Sequence, residues 1–432
     1  MTCPAEINDR SLPPEERLAA LEAFIKSGGP AEMPPFNGEV NNHIHTVYSF
    51  SPYTPAMAAL KARQAGLEAA GSVDHDSCAA APEMRRACAL LGMGCVTGFE
   101  LRVDLRHTEF ASRKINSPDS EGIVYMTVQG IPEGSSGAVR AFLAPLNEAR
   151  GRRNRLMTET LNKITAADLA PLSYEEDILP LSMAAAGGSV TERHILYALS
   201  RALIKRTGPG GALLDFLASR FDLSPGGKLA DLLADRNNPY YDYDLLGFLK
   251  SAFGDRIFIQ PGGDECPRVE EVCAFAKSIN AVPSYAYLGD VGDSPTGDKR
   301  AEHFEDAYLD ELMPRLKEWG FQGITYMPPR NTKAQLERIH KLCQTHGFIE
   351  ISGVDINSPR QSFNCPEIRR SEFAMLIDST WALAAHELRC AESGGEGLFN
   401  PASPLASKPL NERIGIYAEA GRRAVKERGA GN

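Results

Sequence analysis

"EVNNHIHT", residues 39–46, sets two histidines, His43 and His45, on either side of one isoleucine. On a strand, residues i and i+2 leave the same face, so the two imidazoles aim together while Ile44 aims into an apolar layer. An isolated H-x-H is as readily two tolerated polar strand residues as a ligand pair. Its meaning depends on which ligand-type residues the rest of the chain brings to the same place.

Working outward, helix-length and strand-length segments alternate. "TPAMAALKARQAG" (54–66) has helical spacing, "LEAAGSVDHD" (67–76) reads as a strand, "APEMRRACALLG" (81–92) as a helix, and "GCVTGFELRV" (94–103) and "GIVYMTVQGI" (122–131) as strands. The pattern resumes with "RVEEVCAFAKSI" and "NAVPSYAYLG", then "FEDAYLDELMPRLKEWG" and "FQGITYM", then "TKAQLERIHKLCQTHG" and "FIEISGVDI". Such alternation predicts an α/β architecture built on a parallel sheet or barrel. Between about 140 and 255 the pattern is almost wholly helical, broken by "TGPGG" and "LSPGG", as in a helical subdomain set into the α/β unit.

The strand ends carry the chemistry. "VDHD" closes one strand with Asp74, His75 and Asp76; "GFEL" places Glu100; "GVDIN" places Asp355 and Asn357. In a parallel β/α barrel all strand C-termini open on one face, where sites gather. Imidazoles with carboxylates suit Zn, Mn or Fe better than thiolate or all-oxygen sets would.

The ordered motifs "HIHT", "VDHDS", "GFELRV" and "GVDIN" resemble the PHP (polymerase and histidinol phosphatase) family of metal-dependent phosphoesterases, over about residues 38 to 360. The resemblance implies a distorted PHP-type (β/α)7 barrel with an inserted helical subdomain. The expected organisation is an N-terminal helical extension (1–37), barrel (38–140), helical insertion (141–255), barrel (256–366) and C-terminal helical extension (367–432). It also implies that His43, His45, Glu100 and Asp355 hold a divalent metal that activates water toward a small phosphomonoester or phosphodiester. His194 and an arginine of "RGRRNR", Arg152, Arg153 or Arg155, would face the phosphoryl group, and His75 would serve as proton donor.

Departures from the family pattern point to one ion rather than two or three. Phe50 stands where an acidic ligand is expected, Tyr125 and Tyr285 where histidines are, and Asn357 closes the last motif in place of histidine. Phenol and amide are poor substitutes for imidazole, and phenylalanine is no ligand. Tyr125 and Tyr285 are therefore expected to hydrogen-bond water or substrate. Two alternatives stand beside this reading: a non-catalytic PHP-like protein that binds a metal or phosphorylated ligand, and a one-metal hydrolase of C–N or C–O bonds. "PGGDECP" (261–267) reads as a structural turn, and His107, His303, His340, His346 and His386 have no ligand context.

The bulk numbers bound the partners. With 46 basic and 56 acidic residues the chain carries a formal charge of −10, which disfavours extended nucleic-acid binding. No apolar run is long enough for a membrane span. Nine scattered cysteines without C-x-x-C spacing read as thiols of a reducing cytoplasm.

Overall fold

The structure, a computed structural model, describes residues 3–29, 33–117, 119–290, 304–393 and 396–430. Seven strands, β1 (Val40–Ile44), β2 (Ala69–His75), β3 (Gly94–Asp104), β4 (Ile123–Gln129), β5 (Val282–Ala286), β6 (Gly323–Tyr326) and β7 (Ile349–Ser352), form one sheet in chain order. The sheet curls until its edges meet. Ile44 bridges Ile356, His45 N–H donates to the Ile356 carbonyl at 2.9 Å, and Ile356 N–H donates to the His43 carbonyl at 3.0 Å. The result is a near-closed, distorted seven-stranded barrel flanked by helices.

One strand departs from the parallel expectation. β4 is antiparallel to both β3 and β5, whereas the other neighbours run parallel. The physical reason lies in the connection. The described residues between 105 and 122 contain no helix to carry the chain back across the sheet, so β4 returns directly alongside β3. The reversal brings Tyr125, near the start of β4, opposite Arg102 near the end of β3.

Helices α1 (Pro14–Lys26), α2 (Pro55–Gln64) and α3 (Ala81–Leu90) cover β1 and β2, burying Leu21, Phe24, Met57 and Met84 together. Local signals start them: Thr54 caps α2 by accepting from Met57 N–H, and Pro55 follows at a position that needs no donor. Beneath them Arg17 of α1 and Glu83 of α3 form a wholly buried bidentate pair, at 2.5 and 2.9 Å.

Between β4 and β5 come α4 (Ser136–Thr165), α5 (Glu192–Thr207), α6 (Gly211–Phe221), α7 (Gly227–Ala234) and α8 (Tyr241–Ile257). The first half of α4 packs on the barrel through Val139, Leu143 and Leu146. Its second half joins a separate core, with Met157 and Leu161 against Leu199, Leu249 and Phe253. Helices α9 (Val269–Ser278), α10 (Leu309–Trp319) and α11 (Lys333–His346) precede β5, β6 and β7, and α12 (Ala374–Ser393) and α13 (Leu410–Ala430) pack on each other. Helix α12 closes the end of the barrel opposite the strand C-termini: Trp381 lies over Gly94, Thr380 accepts from Asn42, and Glu387 accepts from Thr97 N–H at 2.5 Å. No helix among the described residues is long and apolar enough to cross a membrane, and all nine cysteines are unpaired.

Candidate metal centre

His43 and His45 lie at the end of β1, Glu100 within β3, and His75 at the end of β2, with Asp355 just beyond β7. Their side chains converge. Glu100 Oε2 is 3.8 Å from His43 Nε2, 3.8 Å from His45 Nε2 and 3.1 Å from His75 Nδ1. One donor atom each from His43, His45 and Glu100 falls within 4.8 Å of the others. Two donors held ~2.1 Å from one ion at the tetrahedral angle stand ~3.4 Å apart, so this spacing suits a single ion. Asp355 stands at the rim, with Oδ1 3.5 Å from His45 Nε2 and its side chain 37% exposed.

The surroundings orient these donors. His45 turns Nε2 to the cluster and sets Nδ1 3.4 Å from Ser49 Oγ, which donates to Asp74 Oδ1 at 2.7 Å. Asp74 also accepts from Thr46 N–H and Thr46 Oγ, so it fixes the turn after β1 rather than facing the cluster. Such outer partners set ring orientation and basicity of a ligand histidine. Gly353 lets β7 close over β1: a Cβ there would sit 2.4 Å from His43 Cβ and 2.7 Å from its backbone nitrogen.

Electrostatics separate the groups. Burial pushes the His45 imidazole down, and burial with nearby His45, Arg150 and Arg102 pushes His75 well below its ordinary value. Burial also works against protonated His43, yet the adjoining Glu100 outweighs it and holds that imidazole above its ordinary value. Burial would raise the Asp355 carboxyl, but His45, His43 and Arg193 outweigh it and hold it low. Burial favours the neutral form of His75, which argues against the proton donor expected from the sequence.

A layer of ion pairs roofs the cluster. Arg102, two residues past Glu100 on the same face of β3, donates Nε–H to Tyr125 Oη at 2.8 Å and Nη2–H to Glu192 at 3.1 Å. Arg153 binds Glu265 at 2.6 Å and Glu192 at 2.9 Å, and Arg150 binds Asp76 at 2.5 Å and Glu265 at 3.2 Å. Three buried guanidiniums thus meet three carboxylates. Tyr125 stands beside the cluster, its ring 6.1 Å from that of His75.

Other sequence-derived candidates sit elsewhere. Register explains Tyr285: Thr127 pairs with Glu100 and with Ser284, so Ser284 shares the site-facing side and Tyr285, opposite Met126, faces outward. It is fully buried there and donates to Glu305. His194 is buried as a helix cap, with Thr191 N–H donating to its Nδ1 at 3.0 Å and Phe50 edge-on at 5.0 Å. Burial drops its pKa to about 3. Arg152 and Arg155 turn outward to Asp264 and Glu175, each at 2.7 Å. They line a separate cavity of about 850 Å³ whose walls include Asp76 but none of His43, His45, Glu100 or Asp355. Asn357 donates to Asp355 and accepts from Arg193. His107 and His340 pair with Glu270 and Glu350, His386 bonds the Asn280 carbonyl, and His303 lies outside the described residues.

Arg102, Glu192 and Arg193 were not singled out in the sequence, and Glu265, read there as part of a structural turn, accepts from the buried Arg150 and Arg153. Only Arg102 carried a readable signal, its two-residue offset from Glu100 along a strand.

No protein-family model and no curated protein matches this chain. Among solved structures, a proposed metal-dependent phosphoesterase from Bifidobacterium adolescentis is 21% identical, covers 78% of this chain and 96% of its own, and gives a TM-score of 0.49. An amidohydrolase from Chromobacterium violaceum, with bound sulfate and no metal, is 17% identical over 78% of this chain and 95% of its own, also with a TM-score of 0.49.

Proposed function

We propose that the protein is a metal-dependent hydrolase whose substrate is a small phosphoester, with one divalent ion, Mn, Zn or Fe, held by His43, His45, Glu100 and Asp355. The convergence of two imidazoles and a carboxylate at the open end of the barrel carries this reading. A bound ion of this kind would supply an acidified water and polarise a phosphoryl oxygen.

The protein's own groups do the rest. Glu100 is steadied by His75, and the His45 ring by Ser49 and Asp74. Tyr125, its Oη already accepting from Arg102, keeps an O–H to donate toward water or substrate. The Arg102, Arg150 and Arg153 layer excludes solvent from above while contributing no net charge.

That neutrality supports a second reading, hydrolysis of a C–N bond in an uncharged substrate, because the buried arginines spend their donors on carboxylates. Metal content per chain, followed by turnover of 4-nitrophenyl phosphate, bis(4-nitrophenyl) phosphate and a 4-nitroanilide by the metal-loaded protein, tests the choice. Ester turnover that disappears on chelation and in Glu100→Ala is the expected result. Anilide turnover alone would favour the second reading, and a protein that takes up no metal would sink both.

A further inference from the structure

Four guanidinium groups stand near the mouth of the barrel, and they are not equivalent. Arg102, Arg150 and Arg153 are buried and shared among Asp76, Glu192 and Glu265. Arg193, at the first turn of α5, is only partly buried. Among the described residues its hydrogen-bond partner is neutral, Asn357 Oδ1 at 2.8 Å, and no carboxylate ion-pairs with it. Asn357 in turn donates to Asp355 Oδ1 at 2.7 Å, and that oxygen is 3.5 Å from His45 Nε2. Arg193 is therefore a cation two hydrogen bonds from the metal cluster; its charge acts on Asp355 through space, but among the described residues no carboxylate accepts directly from its N–H groups.

We propose that Arg193 receives the anionic group of the substrate, and that this substrate is a phosphodiester rather than a phosphomonoester. The proposal rests on the phosphoester reading above and narrows it. One planar guanidinium offers two parallel N–H groups to two non-bridging oxygens and balances one negative charge. A diester carries one charge; a monoester carries about −1.5 to −2 at pH 7. The charge of a divalent ion is matched by Glu100 and Asp355, which leaves Arg193 for the substrate. Further negative charge would meet Asp74, buried behind His45 and satisfied by N–H and O–H donors rather than by a cation. In the reaction, the water oxygen bonds to phosphorus and the P–O bond to the leaving alcohol breaks. One water proton passes to the leaving oxygen, giving the alcohol; the other remains on the new phosphomonoester and is then lost to solvent, and the added charge favours product release.

The test compares wild type, Arg193→Gln and Arg193→Lys, all metal-loaded. It measures turnover of bis(4-nitrophenyl) phosphate and 4-nitrophenyl phosphate, calorimetric binding of dimethyl phosphate, and metal content. Wild type should have the higher kcat/KM on the diester. Arg193→Gln should raise the diester KM and weaken dimethyl phosphate binding by about ten- to hundredfold, the range for a hydrogen bond to a charged group. Metal content should stay unchanged, and Arg193→Lys should recover part of the loss. Unchanged dimethyl phosphate affinity in Arg193→Gln would overturn the role of Arg193, and a preference for the monoester would overturn the substrate class; both leave the phosphoester reading intact. Metal uptake without turnover of either ester would overturn that reading itself.

Discussion

Asn357 donates its side-chain N–H to Asp355 Oδ1 at 2.7 Å and so orients the neighbouring carboxylate. Asn357→Ala should therefore retain one metal per chain but bind it ten- to a hundredfold more weakly, the usual range for an outer partner. Titration against a chelator of known affinity measures this. An unchanged affinity would remove Asn357 from the site.

Glu100 is the centre of the cluster, within 3.8 Å of His43 and His45 and 3.1 Å of His75. Wild type should contain one tightly held ion by elemental analysis, and Glu100→Ala none. Phe50 packs on His194 and Tyr197, and Tyr285 faces away, so neither adds a donor to the cluster. Two retained ions per chain would contradict the one-metal reading.

How far the sequence reached follows from what periodicity can encode. The H-x-H pair stands at the end of β1 and Asp355 just past β7, where composition marks a strand end; Glu100, read as a strand end, instead lies within β3, which runs on to Asp104. The direction of β4 was not readable, because "GIVYMTVQGI" alternates identically whichever way it runs. Tyr285 was misplaced for a related reason, since alternation says that neighbours face opposite ways and not which way is in. His194 and Arg193 differ by one position. Only the α5 cap, formed through Thr191, decides that the histidine turns inward and the arginine meets Asn357.

Gly353→Ala should dismantle the site without touching a ligand. The new methyl would lie 2.4 Å from His43 Cβ and 2.7 Å from its backbone nitrogen, and backbone cannot step aside cheaply. A loss of roughly 1–3 kcal/mol is expected from such overpacking, together with impaired metal uptake. Gly137→Ala, within α4 and with nothing within 4 Å of its added carbon, should be neutral or stabilising. Urea denaturation of the two variants makes the comparison.

Removing one member of the buried Arg17–Glu83 pair leaves the other charge stranded. Arg17→Ala should cost roughly 3–5 kcal/mol, and a double replacement by apolar residues, Arg17→Met with Glu83→Leu, should recover most of it. Glu83 also accepts from the buried Ala56 N–H, which the double variant leaves without this partner, so recovery should be incomplete.

His194 makes stability depend on acidity. Its pKa is near 3 folded, against about 6.5 when unfolded. The unfolded chain therefore binds the proton first as pH falls. The stabilisation from a neutral His194 is complete above pH 6.5 and is lost between there and about 3, at up to about 1.4 kcal/mol per pH unit. Chemical denaturation between pH 7 and 4 should show a shallower decline in His194→Gln than in wild type. Parallel curves would mean that the imidazole is not held neutral.

The reversed β4 has a consequence for how this chain can change. Because β4 delivers the chain to the closed end of the barrel, α4 begins there and must climb back before Arg150 and Arg153 can reach Asp76 and Glu265. From Ser136 to Arg150 that climb is ~21 Å at 1.5 Å per residue, close to the ~20 Å that the seven residues of β4 descended. The helix works as a drive shaft of fixed length, with the barrel core gripping one half and the helical core the other. One residue added before Arg150 would turn everything beyond it by about 100°, swinging Arg150 and Arg153 off their carboxylates and carrying the whole helical subdomain round with them. Substitutions can accumulate along the first half of α4, but its length is not free to drift.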